Sequence, residues 1–310
     1  MSVAFIFPGQ GAQYPGMLHD LLDDPIVVRT LDEVSDALRA DVRALDSKDA
    51  LKSDVSVQVA LFAAGVSTAR AVMARDIQPT AVAGLSVGAF AAAVIAGVVQ
   101  LRDGVELLRL RAQEMEKLFP SGYGLSAIAG LTESQMTHIV QAETSNQVPV
   151  FVSNINAPRQ IVVAGANAAM VRVLAEARRQ GATEAVRLRV PVLSHCPLLK
   201  PVASLLANRI AAMSLTSPQL TYVGNVDARA LRTKERIADD LVNNIVHGVR
   251  WHDATTVLKE LGCRLFLEMP PGHALTDLAR QNLPDVSSMP VETTVFPRVV
   301  RLAQREQSGG

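Results

Sequence analysis

The chain has 310 residues, 49% of them hydrophobic, and its 30 Lys plus Arg balance 30 Asp plus Glu to a formal net charge of zero. A chain of this size and apolar content buries a large core, which excludes disorder as its default, and a neutral balance gives no footing for nucleic acid or an acidic membrane surface. The two cysteines, Cys196 and Cys263, form neither a CxxC pair nor a zinc spacing, so the expectation is a reducing, cytoplasmic setting without a disulfide framework or a metal.

Val3 to Phe7 reads as a buried strand, too short for the apolar part of a signal sequence, and a Gly-rich turn follows it. Gln58 to Arg75 is a helix whose only Pro or Gly is Gly65. Ala81 to Ala83 is a short strand, Gly84 to Gly88 a tight turn, and Ala89 to Ala96 an Ala-rich helix ending near Gly97. The window Ala81 to Val99 is the most apolar, but its glycines and Ser86 break it below the roughly 20 apolar residues of a membrane span. A helix over Arg102 to Leu118 stops before Pro120. The rhythm then becomes strand (Leu125 to Ala129), helix (Glu133 to Ala142), two strands (Val148 to Val152, Gln160 to Ala164), helix (Ala168 to Arg179) and strand (Glu184 to Leu188). That βαββαβ order is the ferredoxin-like pattern. Beyond it, Leu198 to Met213 and Arg236 to Ile245 read as helices, Leu220 to Gly224 and Arg264 to Glu268 as strands, and Gln304 to Gly310 as a frayed tail. The expected fold is α/β, with an α/β-hydrolase-like core of mainly parallel sheet over residues 1–124 and 191–310 and a ferredoxin-like domain inserted at 125–190.

Gly84-Leu85-Ser86-Val87-Gly88 is a GxSxG segment lying between a predicted strand and a predicted helix. There a sharp turn lifts a serine oxygen out of the sheet, and small glycines let the backbone close around it. Chance alone yields the pentapeptide on the order of once in ten chains this long. The plainer alternative is a glycine-lined turn whose serine only caps the next helix.

A serine nucleophile needs a base at neutral pH, and six histidines are on offer. His195 lies in Val190-Pro191-Val192-Leu193-Ser194-His195-Cys196-Pro197, where prolines on both sides hold an irregular loop before a helix, a placement suited to a fixed catalytic group. Its plainer alternative is a half-buried histidine at a helix N-terminus. Phe7-Pro8-Gly9-Gln10-Gly11-Ala12-Gln13 follows the first strand with glycines that allow close backbone approach.

Together these separated segments, FPGQGAQ, GLSVG, VPVLSHCPLL and EMPPG, resemble the malonyl-CoA:acyl-carrier-protein transacylases over nearly the whole chain. The resemblance implies that Ser86 is the acyl-accepting nucleophile and His195 the general base, oriented by a backbone carbonyl, which aligns with His247, in place of an acid. It implies an oxyanion hole from the backbone N–H groups of Gln10 and Val87. Arg111 matches the arginine that pairs with the free malonyl carboxylate, a task its planar guanidinium suits. Gln58 matches a position near the acyl group, and Asn156, Gln160, Asn225 and Asp227 match supporting positions, the last two as turn-shaping residues in the plainer alternative. The implied partners are malonyl-CoA and an acyl carrier protein. No tightly bound cofactor is implied, and CoA enters and leaves as part of substrate and product.

Most members of that family carry a histidine before the serine and a glutamate after the second glycine; Leu85 and Ala89 stand here. The combination GLSVGAF, SHCPLL and EMPPGHALTDL looks most like the malonyltransferase (epsilon) subunit of bacterial malonate decarboxylase, which implies that system's carrier as acceptor. The alternatives are a malonyl transacylase of fatty-acid or polyketide synthesis, a serine esterase or thioesterase drawing its acid from residues such as Asp103 or Glu176, and a non-catalytic scaffold subunit.

Overall fold

The computed structural model describes residues 2–188 and 192–308. In chain order the elements are β1 (Ser2–Phe7), α1 (Pro25–Leu38), α2 (Asp54–Met73), β2 (Ala81–Gly84), α3 (Gly88–Ile95), α4 (Leu101–Leu118), β3 (Tyr123–Ala129) and α5 (Glu133–Glu143). There follow β4 (Val150–Ala157), β5 (Gln160–Ala166), α6 (Asn167–Arg179), β6 (Glu184–Arg187), α7 (Lys200–Ala211), β7 (Thr221–Val223), β8 (Ala230–Leu231) and α8 (Lys234–Asn243). The chain closes with α9 (Trp251–Glu260), β9 (Cys263–Glu268), α10 (Ala274–Asn282), β10 (Ser287–Pro290) and α11 (Phe296–Ser308).

Two sheets organise these elements. The larger has the order β10-β9-β1-β2-β7-β8 and is parallel except for β8, which runs antiparallel to β7. Strands buried on both faces read as continuous apolar runs, and β1 shows how each face is used. Val3, Phe5 and Phe7 pack into the core that contains α2 and α3, while the intervening Ala4 and Ile6 pack with Trp251 and Leu258 of α9. Because α2 crosses the middle of that first core, nearly all of its residues are buried. Its length and composition would also let it cross a membrane, and burial inside the fold accounts for that apolar character.

The smaller sheet is antiparallel, in the order β4-β5-β3-β6, with its own core under α5 and α6. Its six elements follow the expected βαββαβ order. Thr132 and Gln135 close a capping box at the start of α5, the ST-x-x-EQ signature written in the sequence as TESQ. The sheet is tied to the larger part through β4: Ile155 N–H donates to the Val249 carbonyl and Val249 N–H to that of Ser153, each at 2.8 Å. The expected domain boundary at Val190 and Pro191 falls outside the described residues.

One expectation is corrected. Gln304 to Ser308 are not frayed but complete α11, because Gln304 Nε2 donates to the Arg75 carbonyl and Gln307 Nε2 to that of Gln78.

Candidate active site

Ser86 sits between the end of β2 and the start of α3 with φ at +54°, in the left-handed region that disfavours a side chain. Such a residue costs roughly 1–3 kcal/mol and persists only where its surroundings hold it. Here the glycines make room. A Cβ on Gly84 would strike the Gly88 backbone, one on Gly88 the Phe7 carbonyl, and one on Gly9 would lie 2.8 Å from the Leu85 carbonyl oxygen. The GxSxG turn and the loop after β1 are therefore pressed together, backbone on backbone.

Asn225, after β7, locks the turn from the other side. Its Oδ1 accepts the Ser86 N–H and its Nδ2 donates to the Gly84 carbonyl, both at 2.9 Å. The buried Asp240 of α8 fixes that segment in turn, accepting the N–H groups of Asn225 and Val226 and the hydroxyl of Tyr222. Asn225 thus does more than shape its own turn, whereas Asp227 pairs at the surface with Arg229 and Arg236.

His195, also left-handed at φ +56°, brings Nε2 to 2.7 Å from Ser86 Oγ. Its Nδ1 is in close contact with the backbone carbonyl of Asn244. A carbonyl only accepts, so Nδ1 carries the proton and Nε2 presents its lone pair to the serine hydroxyl. The resemblance implies this carbonyl at His247; the structure corrects it to Asn244, while the His247 carbonyl only adds a smaller favourable influence on the protonated ring. The physical reason lies in α8, whose last carbonyls have no partner within the helix and point out of its C-terminal end. Burial pushes the His195 pKa down to about 4, the charge of Arg111 adds to the fall, and the two carbonyls oppose it.

Arg111 is 1% exposed in the middle of α4, not on the helix surface. Its Nη1 donates to Gln58 Oε1 at 2.6 Å, and its Nη2 stands 3.5 Å from Ser86 Oγ. Gln58 is itself fully buried on α2, with its Nε2 directed at Met115 Sδ. Desolvation lowers the Arg111 pKa to about 10, still well above neutrality, and its Nε has no hydrogen-bond partner. A buried cation with donors unspent beside a nucleophile is suited to a carboxylate-bearing ligand.

The backbone N–H groups of Gln10 and Val87 donate to no acceptor among the described residues. They flank Ser86 from the β1 loop and the first residue of the turn into α3, which leaves both free for a developing oxyanion. Asn156 and Gln160 lie at the facing ends of β4 and β5, and neither has a hydrogen bond to Ser86, His195 or Arg111. Of the two departures noted in the sequence, Leu85 packs against the core of Ala4, Ile6 and Trp251, and Ala89 is buried in α3. In the EMPPG segment, Glu268 is wholly buried and accepts the N–H groups of Leu275 and Thr276, so it anchors the start of α10. Burial raises its pKa to about 7.

Sequence reasoning did not single out Asn244, Asp240 or Asp54. Nothing local marks Asn244, since a backbone carbonyl carries no residue signature. Asp54 had a signal: it lies four residues before Gln58, on the same face of a helix.

Comparison with known proteins matches residues 4–307 to the family described as acyl transferase domain. The chain is 34% identical over 295 residues to the malonyl CoA-acyl carrier protein transacylase of Haemophilus influenzae, covering 93% of this chain and 94% of the relative. Among solved structures, the corresponding transacylase of Coxiella burnetii superposes with a TM-score of 0.93 at 33% identity, covering 98% of each chain. A malonyl-transacylase solved in complex with its type II polyketide-synthase acyl-carrier protein has a TM-score of 0.91 at 32% identity, covering 100% of each chain.

Proposed function

We propose how the reaction proceeds in a chain that belongs to the acyl transferase domain family and is, by its relatives, a malonyl-CoA:acyl-carrier-protein transacylase. The observation that carries the mechanism is the chain of contacts Asn244 carbonyl, His195, Ser86, with the Arg111 guanidinium 3.5 Å from the same Ser86 Oγ.

Ser86 Oγ attacks the thioester carbonyl carbon of malonyl-CoA while its proton passes to His195 Nε2. The N–H groups of Gln10 and Val87 receive the charge that develops on the carbonyl oxygen. The carbon–sulfur bond breaks, the departing CoA sulfur takes the proton back from Nε2, and malonyl-Ser86 remains. In the second half the thiol of the carrier arm gives its proton to Nε2 and its sulfur attacks the ester carbonyl; the carbon–Oγ bond breaks, Oγ takes the proton back from Nε2, and malonyl leaves on the carrier thioester with Ser86 restored. Arg111 holds the free malonyl carboxylate throughout with two parallel hydrogen bonds, for which Gln58 fixes the guanidinium plane.

The electrostatics suit transfer. A base whose pKa is about 4 is neutral at pH 7, and its buried imidazolium, steadied by a carbonyl dipole and no carboxylate, returns its proton readily to a sulfur leaving group. A serine hydrolase of the kind considered from sequence would set an acid on Nδ1. Here Glu176 pairs with Arg179 on α6 and Asp103 lies in the first turn of α4, and neither bonds to His195.

The acceptor is read as the carrier of fatty-acid or polyketide synthesis, supported by the relatives above. Leu85, Ala89 and the EMPPG turn favour a second reading, in which the acceptor is the carrier of a malonate decarboxylase. We further read the larger sheet as an α/β-hydrolase-like core (1–124 and 191–310), the smaller as a ferredoxin-like domain (125–190), the setting as cytoplasmic, and CoA as a substrate component with no tightly held cofactor.

Intact-protein mass spectrometry after brief incubation with malonyl-CoA or acetyl-CoA tests the mechanism. The expected result is a malonyl adduct that is absent in Ser86→Ala, and a preference for malonyl that Arg111→Ala loses. Free malonate without an adduct would instead support a hydrolase. Incubation of the malonyl-enzyme with each purified carrier separates the two acceptors.

A further inference from the structure

The N-terminal turn of α2 brings a third charged group to the site. Asp54, the first residue of that helix, is 6% exposed. Its carboxylate does not turn back to cap its own helix: Oδ1 accepts from Gln10 Nε2 at 2.5 Å, a contact spanning 44 residues, and Oδ2 has no partner. Its own backbone N–H is taken by Glu116 of α4, also at 2.5 Å. One helical turn further on, Gln58 holds Arg111. A single face of α2 therefore grips both the loop that carries the Gln10 amide and the arginine that faces Ser86.

Charge gives the pairing its meaning. Among the described residues Arg111 has no ion pair, and Asp54 is the carboxylate whose charge supports its protonated form. Arg111 reciprocates, together with the Gln10 hydrogen bond, against a desolvation and a Glu116 charge that both act to protonate Asp54. Burial prevails over these two partners and raises the Asp54 pKa to about 6, so the carboxylate is still mostly ionised at neutral pH.

We propose that Asp54 is a positioning residue of the transfer reaction, which holds the Gln10 loop in its oxyanion-binding place through the hydrogen bond from Gln10 Nε2. The proposal rests on the assignment of Ser86 as nucleophile and of the Gln10 amide to the oxyanion hole. The hydrogen bond and the charge of Asp54 separate by substitution. Asparagine keeps an oxygen for Gln10 Nε2 and removes the charge, whereas alanine removes both.

The experiment measures kcat and KM for malonyl-CoA, and the rate at which an alkyl fluorophosphonate labels Ser86, in the wild type, Asp54→Ala, Asp54→Asn, Gln10→Met and Asp54→Ala/Gln10→Met. Labelling forms the Oγ–P bond, expels fluoride and delivers the serine proton to His195, so it probes the oxyanion hole without any malonyl group. Loosening one oxyanion donor, where complete removal is worth on the order of 10²–10³-fold, is expected to lower kcat and labelling about tenfold in Asp54→Ala. Gln10→Met should fall equally, the double variant no further than either single, and Asp54→Asn should recover most of the loss with KM close to that of the wild type. Gln10→Met breaks the same bond from a surface loop, so the result does not hang on the folding of Asp54→Ala alone. Losses that multiply in the double variant, or Asp54→Ala and Gln10→Met both within twofold of wild type, would overturn the proposal. A wild type that takes neither malonyl nor fluorophosphonate overturns the nucleophile assignment itself and this proposal with it.

Discussion

On one side of Ser86 the site is made of backbone: the Asn244 carbonyl, the amides of Gln10 and Val87, which have no acceptor among the described residues, and glycines at 9, 84 and 88 that let the loop after β1 and the GxSxG turn touch. On the other side it is made of long polar side chains buried in helices, with Arg111 on α4 held by Gln58 on α2 and Asp54 behind them. The difference teaches where chemistry and selectivity reside. Backbone groups are fixed by the fold and serve any acyl thioester. In the proposed reaction the buried side chains meet the far end of the acyl group, and burying them is tolerated because their hydrogen bonds are made to one another.

Substitutions that break the backbone side should have the largest effects. Ser86→Ala and His195→Ala are each expected to lower transfer by on the order of 10⁴-fold or more, and the double variant to be no worse than either, as steady-state transfer to a carrier would show. Gly84→Ala should cost about 4 kcal/mol or more of stability in denaturant unfolding, since its Cβ meets backbone that has nowhere to move. The side-chain wall should respond more selectively. Arg111→Ala is expected to lower kcat/KM for malonyl-CoA by about 10²-fold and leave acetyl-CoA little changed, from the roughly 1.5–3 kcal/mol of a charge-assisted pair, with Arg111→Lys recovering little. Asn225→Ala tests the brace between the two sides. It orphans the Ser86 N–H and the Gly84 carbonyl, and about 2 kcal/mol of stability should go with them.

The smallest effect is one of pH. Only neutral His195 serves as base, so the acid limb of kcat/KM should fall near pH 4, where an unperturbed histidine would place it near 6.5. The sign for stability follows. Between pH 6.5 and 4 the unfolded chain binds this proton and the folded chain does not, so stability falls as pH drops through that window. His195→Gln should therefore lose less stability, relative to wild type, at pH 5 than at pH 8.

Much of the first side was legible in the sequence, because close backbone approach demands glycine and a strained turn demands small neighbours. GLSVG and FPGQG announce such places, and Pro197 marks where the loop of His195 gives way to the next helical turn. The alternating α/β rhythm was legible for the same kind of reason: apolar period and turn residues are local properties. The side-chain wall was only half legible. Arg111 reads as a surface residue by helix pattern, and resemblance to a family rather than periodicity singled it out. Asp54 escaped because a lone carboxylate at a helix start ordinarily serves the helix itself.

What the sequence determined by itself was therefore the run of elements from α2 to β6 with β1, α7, β7, α8 and β9, the two turns that bear Ser86 and Gln10, and the chemistry available at Ser86 and His195, while α1, α9, α10, β10 and the end of α11 went unread. Only the tertiary structure decided which carbonyl orients the base. Residues 86, 195 and 244 meet at the carboxyl ends of parallel strands and the end of α8, and no local signal reports where a helix's last carbonyls point. It also decided the partners of Arg111, Asn225 and Asp54. Those contacts join helices and strands far apart in the chain, and the energy of a buried charge depends on what the fold places against it.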